Sequence, residues 1–174
     1  MKISIIITSL ILLAGSAVAQ HDHGAGHTNA PRHSKKETAH SHRAVPEFQM
    51  QLHDVFVASL QLKDALILSD AAKATESVSQ IRVALSKVDL ALLKDEALMD
   101  WMGSLKILNE NLERIEKATD LAIQRQAFSS FSNALYKSLK EFGAGSITVY
   151  YVQCPMANNN TGANWLSDTK EIRN

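Results

Sequence analysis

From Phe48 to Phe142, apolar residues recur mostly at alternating steps of four and three, and this spacing predicts four consecutive amphipathic helices. The first carries Phe48, Leu52, Val55, Ser59, Leu62 and Leu66 on one face, and Ser69-Asp70 is a capping pair that leaves room only for a tight turn. The second places Ala71, Ala74, Val78, Ile81, Leu85 and Val88 inward, with Glu76, Gln80 and Lys87 outward. A third, from about Glu96 to Lys117, turns Ala97, Trp101, Leu105, Leu108, Leu112 and Ile115 inward. Thr119-Asp120 caps the fourth, Leu121 to Phe142, which buries Phe128, Phe131, Leu135, Leu139 and Phe142 and stops at Gly143-Ala144-Gly145. Helices joined this closely pack antiparallel, so the expected fold class is all-α: an up-down four-helix bundle over residues 47–142.

The pattern changes on both sides of the bundle. Residues 143–174 begin with the β-branched and aromatic run Ile147-Thr148-Val149-Tyr150-Tyr151-Val152, which predicts a short extended segment delivering Cys154 to an edge or turn. A polar loop, Asn158 to Gly162, follows, and Trp165 and Leu166 are expected to pin this piece to the bundle. At the other end, Lys2, the apolar run Ile3 to Leu13 and the small-x-small triplet Ala17-Val18-Ala19 read as a secretory signal peptide over residues 1–19. Residues 20–46 hold almost no large apolar side chain and are expected to form a disordered tail, because they cannot bury enough surface to offset the entropy of ordering.

Composition narrows the function. A chain of 174 residues with 45% hydrophobic content supports one ordinary domain. A formal net charge of zero gives a nucleic-acid partner no electrostatic support. The signal peptide implies a periplasmic protein, and no second apolar run is long enough to span a membrane.

The candidate chemistry is metal binding. The tail carries His21, His23, His27, His33, His40 and His42, and imidazole suits Cu(II) or Zn(II). Cys154, the sole cysteine, and Met156 flank Pro155 and offer a thiolate and a thioether, the donor pair that Cu(I) prefers. Met50 and His53 lie one helical turn apart and are further candidate donors, whereas Met99 and Met102 read as core or surface fill beside Trp101. Arg125, at the edge of the fourth helix's apolar stripe, is expected to clamp the C-terminal segment to the bundle. No phosphate-binding loop or catalytic-triad spacing occurs, so the expected protein is not an enzyme. The competing expectation is a helical protein-protein interaction module of the cell envelope with a structural Cys154.

Leu62-Lys63-Asp64-Ala65-Leu66, Asp70-Ala71, Trp101, Arg125, Phe128 and Ser132, with Tyr150-x-x-x-Cys154-Pro155-Met156-Ala157 and Gly162-Ala163-x-Trp165-Leu166-Ser167, together resemble a family of exported bacterial domains of unknown function. That family also occurs fused to the adaptor (membrane-fusion) proteins of copper and silver efflux pumps. The resemblance covers roughly residues 47–174 and implies a copper-binding protein that buffers the metal or hands it to a heavy-metal efflux adaptor. It also implies a further Met and Cys beyond Asn174 that this chain does not carry, so either the site is degenerate here or its missing ligands are expected from the tail, from Met or His residues on the bundle or from a second molecule.

Overall fold

The computed structural model describes residues 42–173. The expected signal peptide and tail residues 20–41, with His21, His23, His27, His33 and His40, lie outside the described residues.

Four long helices form as their apolar stripes predict: α1 (Pro46–Ile67), α2 (Ala71–Ser86), α3 (Asp95–Lys117) and α4 (Leu121–Phe142). Local chemistry sets their ends. Pro46 opens α1, where a missing N–H costs nothing. Asp70 accepts a hydrogen bond from the Lys73 N–H at 2.9 Å to start α2, and Asp120 accepts one from the Ala122 N–H at 2.7 Å to start α4. The α1–α2 turn is tight enough that Ser69 adopts φ 57. Between α2 and α3, Asp89 caps a 3-10 turn over Leu90–Leu92.

α1 packs mainly on α2 and α3 mainly on α4, while lighter α1–α4 and α2–α3 contacts close the all-α bundle. The predicted stripes of α1 and α4 are buried throughout. On the other two helices Ala71, Ala97 and Leu105 are half-buried. One end of the core is an aromatic cluster in which Phe48, Trp101 and Phe142 meet edge-to-face, with ring centroids 5.3 to 6.2 Å apart. Burial of each such ring stabilises the fold by about 2–3 kcal/mol.

The C-terminal segment is more ordered than a strand and a loop. β1 (Tyr150–Cys154) pairs antiparallel with β2 (Ala163–Ser167), from Tyr150 opposite Ser167 to Cys154 opposite Ala163, and a one-turn helix, α5 (Ala157–Asn160), lies between them. This hairpin rests chiefly on α4. Val152, Trp165 and Leu166 are buried, Tyr151 stacks on Tyr136 at 4.2 Å, and the Asn164 N–H donates to Ser129 Oγ at 3.1 Å. The clamp expected of Arg125 is provided by Lys63, whose Nζ donates to Asp168 at 3.0 Å. Arg125 instead closes the end of α1, donating to Leu66 O at 2.8 Å and Ser69 Oγ at 2.9 Å. Its guanidinium satisfies an orphan carbonyl of a helix terminus.

No helix among the described residues is long and apolar enough to cross a membrane.

Candidate metal centre

The sulfur donors occupy unusual positions. Methionine is flexible and apolar and ordinarily fills core gaps, yet each methionine among the described residues is exposed: Met50 at 64%, Met99 at 75%, Met102 at 47% and Met156 at 76%. Met99 and Met102, expected as core or surface fill beside Trp101, lie on the surface and present thioethers to solvent on α3. Cys154 is buried, because side chains alternate along β1 and its parity matches that of buried Val152. Two residues on, past Pro155, Met156 points into solvent. The Cys-Pro-Met turn thus sets its thiol inward and its thioether outward rather than presenting both on one face.

Met50 and His53 are not gathered with that turn. Ala157 and Asn158, just after Met156, line a cleft with Leu66 and Ile67 at the far end of α1, and sixteen residues of helix separate Met50 from Leu66. At 1.5 Å per residue that is about 24 Å. The cleft is also lined by Lys63, Arg125 and Arg173, and Asp64, Asp168 and Glu171 lie in the adjoining pocket. His53 Nδ1 lies 3.8 Å from Asp54 Oδ1 on the solvent side of α1.

The opposite end gathers donors that sequence reasoning left apart. His42, expected in the tail, is seated on the bundle. The Ala44 N–H donates to Phe142 O at 3.0 Å, and the buried Gln49 amide donates to both Ala44 O at 2.9 Å and Phe142 O at 3.0 Å. These bonds draw the segment before α1 across the C-terminus of α4, where the His42 ring stacks on Phe142 with centroids 6.4 Å apart. Its Nε2 then lies 3.1 Å from Asp100 Oδ2 and 3.9 Å from Glu141 Oε1. Glu96 precedes Asp100 by four residues, one turn of α3 on the same face. Ligand atoms of His42, Glu96 and Asp100 all lie within 4.8 Å of one another.

Glu141, in the last turn of α4, completes this cluster from below. Its side chain is 9% exposed and its Oε2 has no hydrogen-bond partner among the described residues. Burial pushes its carboxyl above the usual carboxylate range, and the hydrogen bond and charge of Asp100 push it the same way. The local signals for this cluster were the Glu96-x-x-x-Asp100 spacing beside Trp101 and a glutamate abutting the last core aromatic. Neither announces a site without the fold that brings them to His42.

A sequence-family model described as a protein of unknown function (DUF3347) matches residues 55–146, from α1 through α4 and short of the hairpin. No curated protein and no solved structure matches the chain.

Proposed function

We propose for this chain, which belongs to the DUF3347 family of unknown function, a non-enzymatic role as a copper-binding protein of the periplasm. The observation that carries the reading is the exposure of Met50, Met99, Met102 and Met156, four thioethers held in water where an apolar side chain gains nothing by burial. Thioether and thiolate sulfur favour soft monovalent copper over the hard cations that abound in an envelope compartment. Cys154 and Met156 supply the tighter pair once the exposed Met156 thioether turns back toward the thiol buried under the hairpin. The tail histidines His21, His23, His27, His33 and His40 gather Cu(II) or Zn(II), and the export signal over residues 1–19 places the chain where it buffers copper or passes it to an efflux adaptor.

The test is competition with a chromogenic Cu(I) chelator under reducing conditions, with circular dichroism alongside. Cys154→Ser with Met156→Leu is expected to lose submicromolar Cu(I) binding while keeping the helical spectrum. Met50→Leu with Met99→Leu and Met102→Leu is expected to lower the Cu(I) stoichiometry without touching the tight site. Equal affinity and stoichiometry in all three proteins would refute the copper reading.

A further inference from the structure

We propose that His42, Glu96, Asp100 and Glu141 form a binding site for a divalent first-row transition-metal ion of the Zn(II) kind, separate from the sulfur donors. The proposal does not rest on the copper reading, since no sulfur takes part. Three carboxylates and one imidazole converge from the segment before α1, from α3 and from the end of α4, with His42, Glu96 and Asp100 already offering ligand atoms within 4.8 Å of one another. An acidic face alone would mean little. What distinguishes this one is Glu141, more than nine-tenths buried, facing His42 Nε2 at 3.9 Å and carrying an oxygen that no donor satisfies. A buried carboxylate oxygen without a donor is costly, and the nearest nitrogen, His42 Nε2, also lies 3.1 Å from Asp100 Oδ2. A cation bound among the four groups removes that cost.

The donor set selects the ion. Nitrogen and carboxylate oxygen suit Zn(II) and its neighbours, whereas Mg(II) demands an octahedron of oxygens and keeps most of its water. Gln49 and Phe142 form the surrounding shell: the Gln49 amide fixes the backbone leading to His42, and the Phe142 ring sets the plane of the imidazole. Because the ligands come together only in the folded bundle, binding stabilises the fold, and tail histidines that bind equally well in the unfolded chain do not.

That difference supplies the experiment. Thermal unfolding of the chain from Gln20 to Asn174 is followed against Zn(II) concentration, with zinc affinity measured by competition. The wild type is expected to show a melting temperature that climbs with Zn(II). A variant with His21, His23, His27, His33 and His40 all replaced by alanine should keep the climb. Asp100→Asn with Glu141→Gln should abolish it, and Glu96→Gln, a change on an exposed side chain that cannot unfold the core, should weaken the stabilising site roughly tenfold or more. Should the double variant fail to fold, Glu96→Gln alone decides. No Zn(II)-dependent rise in the wild type, an undiminished rise in Glu96→Gln, loss of the rise in the five-histidine variant, or an equal rise with Mg(II) would each overturn the proposal.

Discussion

Gly143→Ala is expected to be the most damaging glycine-to-alanine change among the described residues. Gly143 ends α4 at φ 98 and ψ 149, a conformation that side-chain-bearing residues rarely adopt, and forcing alanine into it costs on the order of 1–3 kcal/mol. The added Cβ would also stand 2.5 Å from the Gln49 amide nitrogen. That amide must move, giving up its bonds to Ala44 O and Phe142 O, each worth about 1 kcal/mol net. The sum is about 3–5 kcal/mol, or about 10 °C in melting temperature for a body of this size. Urea titrations followed by circular dichroism measure it, with two other glycines as internal standards. Gly145, at φ 63 with nothing within 4 Å of an added Cβ, should lose only about 1 kcal/mol on change to alanine. Gly103, exposed inside α3 with the same open space, should gain about 0.5–1 kcal/mol. In a Gln49→Ala background Gly143→Ala should cost about half as much, because the clash is gone and only the backbone strain remains. A Gly143→Ala protein within about 0.5 kcal/mol of wild type, or a Gly145→Ala loss as large as that of Gly143→Ala, would refute the reasoning.

Three further outcomes follow from the same contacts. Gln124 is fully buried and its amide donates to Ala118 O at 2.9 Å and Thr75 Oγ1 at 3.1 Å, tying α4 to α2 and to the end of α3, so Gln124→Leu should lose about 1–2 kcal/mol in urea melts despite its added apolar volume. The Lys63 ammonium holds the Asp168 carboxyl below the usual aspartate range, so the stability it contributes is present above an ordinary pKa of about 3.9 and is lost as pH falls through the lower folded value; the urea midpoint of Asp168→Asn should lie below wild type at pH 6 and converge with it below about pH 3. Deleting residues 20–41 should leave the melting temperature unchanged, whereas deleting 20–45 should lower it by several degrees, because Ala44 and its bonds to Phe142 and Gln49 go with the longer cut; equal melting temperatures for the two truncations would show that the segment before α1 contributes nothing.

What the sequence determined by itself is what a local pattern can encode. The four-and-three spacing marks a buried face wherever a helix forms, and so Phe48 through Leu66 and Phe128 through Phe142 are identifiable as core before any packing is known. Asp70 and Asp120 announce helix starts because a cap acts within three residues of itself. Cys154 and Met156 were legible as sulfur donors, but not their opposite orientations, which come from the parity of β1 and from its pairing with β2 across nine residues. His42 reads as the last histidine of a polar tail that ends at Pro46. Its seat depends on Asp100, 58 residues away, and on a Gln49–Phe142 bond spanning 93. Glu96, Asp100 and Glu141 each read as an ordinary solvated charge on its own helix. Only the antiparallel closure of the bundle, which brings the start of α1, the start of α3 and the end of α4 to one end, makes them neighbours. Periodicity records which face of a helix avoids water, while the identity of the group across the gap is set by how distant helices pack.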